Sequence, residues 1–176
     1  MLVAMYRPHP ASLSIVELLA DCDIMRQRRG GPGGQHRNKV ETAIVITHRP
    51  TGIRAEASER RSQAENQKEA IHRLRLRLAT EIRSLLPLTA DAVMPSPLWQ
   101  SRSSGGRLSV NPEHDDFPAL LAEALDAVEA AEFDVGAAAK SLGITTSQLV
   151  RFLQDEPPAW TAVNAARRQR GLRPLH

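Results

Sequence analysis

A chain of 176 residues and 19.4 kDa has room for one domain of ordinary size or two small ones, which excludes a large multidomain enzyme. Hydrophobic residues make up 41% and charged residues 24%, close to the soluble globular average, and no apolar run nears the ~20 residues of a membrane span; wholesale disorder and membrane insertion are excluded. The formal net charge of +3 conceals an uneven order: residues 1–87 carry a net +6 and residues 88–176 a net −3.

The N-terminus has two prolines where a signal peptide would place its apolar helix, and the single Cys22 has no internal disulfide partner, so a reducing, cytoplasmic location is predicted. Ser14 and Glu17 have capping-box spacing, and Ile15, Leu18, Leu19 and Cys22 form an apolar stripe, predicting a short helix over 14–22. A strand over Asp23 to Arg29 leads into Gly30-Gly-Pro-Gly-Gly34. Thr42 to Thr47 is β-branched, Arg49-Pro-Thr-Gly52 has turn chemistry, and Ile53 to Ala57 alternates, which together predict a β-hairpin. Ser62 then caps a helix whose Ile71, Leu74, Leu78, Ile82 and Leu85 recur at spacings of three and four, with Arg73, Arg75, Arg77 and Arg83 largely off that stripe.

From Pro87 to Pro112 there are four prolines, clustered serines and Gly105-Gly106, a composition that predicts a linker anchored at most by Leu98, Trp99, Leu108 and Val110. Beyond it the pattern is helical throughout: one helix from Phe117 to Val128, a second capped by Asp134, a third capped by Thr145 and a fourth over Trp160 to Arg170. The expected organisation is α+β. A small domain with a β-hairpin sheet and helices occupies 1–87, a linker 88–112, and an all-α helical module 113–176, ending in basic residues.

The stretch that carries chemistry is Gly30-Gly-Pro-Gly-Gly-Gln-His-Arg-Asn-Lys39. Adjacent glycines allow positive φ and close approach of the backbone to a partner, leaving N–H groups free to point at an oxygen. Gln35 at the tip has one amide, and no nearby residue is an obvious nucleophile, general base or metal ligand. Such a tip can place a water and donate hydrogen bonds to the charge that develops on an ester or ribose oxygen during acyl transfer. A phosphate-binding or simply flexible turn is the alternative that the glycines alone favour. With three Phe, two Trp and one Tyr in the chain, stacking on single-stranded nucleic acid has little to use, so any RNA contact rests on charge and backbone.

Three separated segments, Gly31-Pro-Gly-Gly-Gln-His36 with Asn38-Lys39, then Thr47-His-Arg-Pro-Thr-Gly-Ile53, then Glu59-Arg-Arg-Ser-Gln63 with Asn66, together resemble the peptidyl-tRNA hydrolysis domain of bacterial class I peptide chain release factors and their ribosome-rescue relatives. The resemblance covers residues 14–86. It implies an α+β domain whose tip enters the peptidyl-transferase centre of the large ribosomal subunit and promotes attack of water on the ester of P-site peptidyl-tRNA. Gln35 then matches the catalytic glutamine, a site of methylation in the family; Gly33 and Gly34 permit its backbone conformation. Most of the remaining apparatus belongs to ribosomal RNA and the tRNA ribose, and neither cofactor nor metal is implied. Arg28, Arg29, His36, Arg37, Asn38 and Lys39 around the tip, and Arg60, Arg61, Arg73, Arg75 and Arg77, are the candidate RNA contacts. Only about 20 residues precede the domain, where a stop-codon-reading factor needs a codon-recognition region, so rescue of stalled ribosomes is the expected activity.

Ala137 to Val150 has the spacing of a helix-turn-helix, but Glu113 to Glu156 carries a net −8 with only Lys140 and Arg151 as cations. Phosphate neutralisation on DNA needs more than that, so these helices are expected to form a structural or protein-docking bundle rather than to bind DNA. Two function classes follow: a ribosome-dependent peptidyl-tRNA hydrolase, or a release-factor-derived module that binds ribosomal RNA or regulates without hydrolysis.

Overall fold

The computed structural model describes residues 2–3, 8–27, 43–84 and 95–176. It is α+β and divides into two compact units, Leu13–Leu78 and Met1–Ser12 with Ala79–His176.

In the first unit, helix α1 (Ile15–Ala20) begins at Ser14 with the capping box read from the sequence: Ser14 Oγ accepts from Glu17 N, and the Glu17 carboxylate accepts from Ser14 N at 3.1 Å. A three-stranded antiparallel sheet follows, β2 (Cys22–Gln27), β3 (Ala43–His48) and β4 (Arg54–Ala57), in the order β2-β3-β4; strand β1 (Leu2–Val3) belongs to the other unit. The central strand β3 is the most apolar, with Ile44 and Ile46 wholly buried and Val45 nearly so. The β3–β4 turn closes through His48 N to Ile53 O at 2.8 Å, and Gly52 takes φ +71°, a value that excludes most side chains there. Helix α2 (Gln63–Glu81) then buries Ala70, Ile71, Leu74 and Leu78, the predicted stripe.

Two details of that helix correct the sequence reading. The stripe's Ile82 is buried, but it lies in a short strand, β5 (Ile82–Arg83), paired in parallel with β1 (Leu2–Val3), and Leu85 lies outside the described residues. Arg75 and Arg83, expected off the apolar face, are 8% and 5% exposed. The physical reason is visible at Arg83: its guanidinium turns back onto the carbonyls of Ala79, Thr80 and Ile82, which the end of α2 leaves without helical donors. A buried cation becomes tolerable when every N–H finds an acceptor.

The second unit is helical. The stretch read as a linker is folded from Pro95 to Val110. Ser96 caps α3 (Pro97–Arg102) with Pro97 in its first turn, and β6 (Ser103–Ser104) pairs with β7 (Arg107–Leu108) across Gly105-Gly106, both at positive φ. Trp99 is wholly buried, its indole N–H donates to Leu142 O at 2.9 Å, and its ring meets Phe152 edge-on at 6.1 Å, with Phe117 a further 5.0 Å from Phe152. Pro and Ser act here as a helix start, not as a flexible spacer. The four helices beyond are α4 (Phe117–Ala130), α5 (Val135–Ser141, capped by Asp134), α6 (Thr146–Gln154, capped by Thr145) and α7 (Pro157–Gln169), the last starting earlier than its Trp160 suggested because Pro157 and Pro158 occupy its first turn.

A polar cluster ties this unit together beneath α4. His9 accepts from Ala11 N on Nδ1 and faces Ile82 O with Nε2, Asp126 accepts from Ser84 N at 3.1 Å, and Glu129 lies 3.4 Å from Arg83 Nε. Burial holds His9 down at about 4, so the unfolded chain takes up that proton first and stability falls as pH drops from about 6.5 towards 4. Burial lifts Asp126 to about 6, so the folded chain takes up its proton first and stability rises as pH drops from about 6 towards 4. The two oppose one another. Asp126→Asn should therefore gain stability relative to the parent as pH rises from about 4 to 6, read from urea midpoints at the two pH values; a difference independent of pH would refute the assignment.

Candidate functional site

Gly33, Gly34, Gln35 and the flanking Arg28, Arg29, His36, Arg37, Asn38 and Lys39 lie outside the described residues. What the structure describes is the base on which their segment stands. β2 ends at Gln27 and β3 begins at Ala43, and these two residues are paired in register.

That base is braced by the second of the three sequence motifs. Arg49 donates to Ala20 O at 2.5 Å, to Cys22 O at 3.0 Å and to the Asp23 carboxylate at 3.0 Å, while its own N–H bonds Asp21 O. One side chain thus fixes the α1–β2 junction against the β3–β4 turn. His48, 2% exposed, shares a 2.8 Å hydrogen bond between Nδ1 and Thr51 Oγ1, and burial lowers its affinity for a proton, so it is held as a neutral turn residue. Cys22 is buried with Sγ donating to Leu18 O, and burial pushes its thiol up to about 11, which leaves it inert as a nucleophile at neutral pH.

The third motif forms the corner between β4 and α2. Sequence reasoning grouped Arg60, Arg61, Arg73, Arg75 and Arg77 together; the structure separates them. Arg73 donates to Glu56 O, to the Glu59 carboxylate and to the Glu69 carboxylate, each at 2.9 Å, and Arg77 donates to Arg54 O. Four residues along a helix advance ~6 Å and two along a strand ~6.6 Å, so guanidiniums at 73 and 77 match carbonyls at 56 and 54. Arg75 is buried. Arg60 and Arg61 are exposed. The bonds to Arg73, with those from the backbone beside it, hold the Glu59 carboxyl down at about 2. Asn66, named in the third motif but given no role there, is wholly buried and holds this corner.

Among the described residues no group of His, Cys, Asp and Glu could hold a metal ion, and no helix is long and apolar enough to cross a membrane. The helix-turn-helix pattern is present as α5 and α6 about Gly143, which takes φ +68°. At the chain's basic end Arg167 donates to Phe133 O and Arg170 sits 4.2 Å over the Phe133 ring, so two of the four terminal arginines are engaged within the unit.

A three-stranded sheet, a turn braced by arginine and a corner ahead of a long helix agree with what comparison finds: the RF-1 domain family matches residues 13–88. That match covers less than half of the chain, and over it the chain is similar to class I peptide chain release factors. It is 47% identical over 73 residues to the chloroplastic peptide chain release factor PrfB1 of Arabidopsis thaliana, covering 37% of this chain and 16% of that protein. It is 49% identical over 59 residues to peptide chain release factor 1 of Symbiobacterium thermophilum, covering 34% of this chain and 17% of that protein. For peptide chain release factor 1 of Xylella fastidiosa the figures are 48% over 74 residues, 42% and 20%. The chain thus spans about a fifth or less of the length of these relatives.

Proposed function

We propose that this protein is a ribosome-dependent peptidyl-tRNA hydrolase that releases nascent peptide from stalled ribosomes in the cytoplasm without reading a stop codon. The observation that carries the reading is the RF-1 domain match, which spans Gly33-Gly34-Gln35 and rests on the paired Gln27–Ala43 base. In this reading water attacks the ester carbonyl of P-site peptidyl-tRNA, the bond to the ribose oxygen breaks, and that oxygen takes up a proton. The Gln35 side chain places the water, its backbone N–H stabilises the leaving ribose oxygen, and ribosomal RNA with the tRNA supplies the rest. Arg28, Arg29, His36, Arg37, Asn38 and Lys39 contact large-subunit RNA around the tip, and Gln35 is a site of methylation.

Rescue is favoured over codon reading by the charge of the helices. A segment of net −8, with Lys140 and Arg151 as its cations, suits a protein partner better than the RNA-lined decoding site. The test is release of labelled peptide from ribosomes with an empty A site, a sense codon or a stop codon. Release confined to the empty A site is expected; a requirement for the stop codon would overturn the rescue reading, and equal release on all three would point to another ribosomal feature as the cue.

A further inference from the structure

The corner Ser58–Ser62 is held from inside by a single amide. Asn66, wholly buried, uses both ends of its carboxamide on one residue: Oδ1 accepts from Arg60 N at 2.9 Å, and Nδ2 donates to Arg60 O at 2.9 Å. Glu59 next to it is fixed by Arg73 at 2.9 Å and by Ser58 N at 2.9 Å, and Ser62 Oγ accepts from Glu65 N at 3.4 Å to start α2. The Arg60 backbone and the Glu59 carboxylate are thus committed to internal partners, while the side chains of Arg60 and Arg61 stand exposed.

The geometry points to Arg60 and Arg61 as a prebuilt site for the phosphodiester oxygens of RNA, with Asn66 as the residue that positions it. A guanidinium fork engages two anionic oxygens at once, and the Arg60 backbone, already fixed on both its N–H and its C=O, loses little further freedom on binding. The adjacent N-terminus of the nineteen-residue α2 adds positive potential on the same side. Glu59, paired with Arg73, does not compete for the two exposed guanidiniums. This inference rests on the ribosomal reading above and adds to it a specific RNA-binding pair and a positioning residue.

The experiment is equilibrium binding of the full chain to purified bacterial large ribosomal subunits over a sodium chloride series. The double variant Arg60→Ala, Arg61→Ala should flatten the slope of log K against log salt by about 1 to 2, at ~0.7–0.9 for each phosphate no longer neutralised. Arg60→Lys with Arg61→Lys should keep most of the slope. Asn66→Ala, which leaves every charge in place, should flatten it in the same direction and speed hydrogen exchange at the Arg60 amide. An unchanged slope in the double alanine variant, whose exposed sites do not threaten folding, overturns the site. Peptide release run in parallel keeps the two readings apart: a flattened slope with release that ignores Gln35 sinks the hydrolase but leaves the site standing, and an unchanged slope with Gln35-dependent release does the reverse.

Discussion

Gln35→Ala is expected to slow peptide release by about 10²–10³-fold, the scale of losing one positioned polar group, while ribosome pelleting stays as in the parent. The size follows from what the segment lacks. On the proposed reading, with no obvious nucleophile or general base in 30–39, the protein's contribution is placement, and the Gln35 carboxamide is the group assigned to placing water. Gln35→Pro removes the backbone N–H as well, and a further drop below the alanine variant would assign the leaving ribose oxygen its own donor. Release at the parental rate by Gln35→Ala would leave the docking function as the reading of the same scaffold.

The second large effect is on stability. Trp99→Ala should destabilise the helical unit by about 3–5 kcal/mol for the missing ring, and the Leu142 carbonyl left without its donor adds about 1–3 kcal/mol. Trp99→Phe retains most of the ring and should cost about 1–3 kcal/mol, since it deletes mainly the N–H. Urea unfolding followed at Trp160, the other tryptophan of the chain, measures both. An unchanged midpoint in Trp99→Ala would mean that α3 is an appendage rather than part of the core.

Local chemistry was readable wherever one residue type has one dominant use. Ser14 with Glu17, Asp134, Thr145 and the Pro-Thr-Gly turn all sit where their hydrogen bonds require, and β3 is where the β-branched run predicts. The Pro87–Pro112 stretch misled because Pro and Ser serve both flexible spacers and helix starts, and only tertiary burial of Trp99 decides between them. The arginines misled for a related reason. Periodicity sorts residues by apolarity, yet Arg75 and Arg83 bury long stems, and Arg83 satisfies its head on carbonyls that no sequence pattern announces. Asn66 was legible as a motif residue but its positioning role was not, because a carboxamide gripping a residue six positions back leaves no periodic trace. The Gly-Gly-Gln segment lies outside the described residues, so its reading rests on the sequence motif.

The bracket of Arg73 and Arg77 on β4 gives the small sheet two unlike rims. On the β4 rim the carbonyls of Arg54 and Glu56 already accept guanidinium N–H groups, so an incoming strand meets occupied acceptors and bulky cations. The β2 rim carries Ile24 and Met25, both exposed. Growth of this sheet by addition of a foreign strand is thereby one-sided. Self-association of a partly unfolded chain, and any tendency to precipitate during refolding, should start from β2 and be relieved by charge placed there, not on β4.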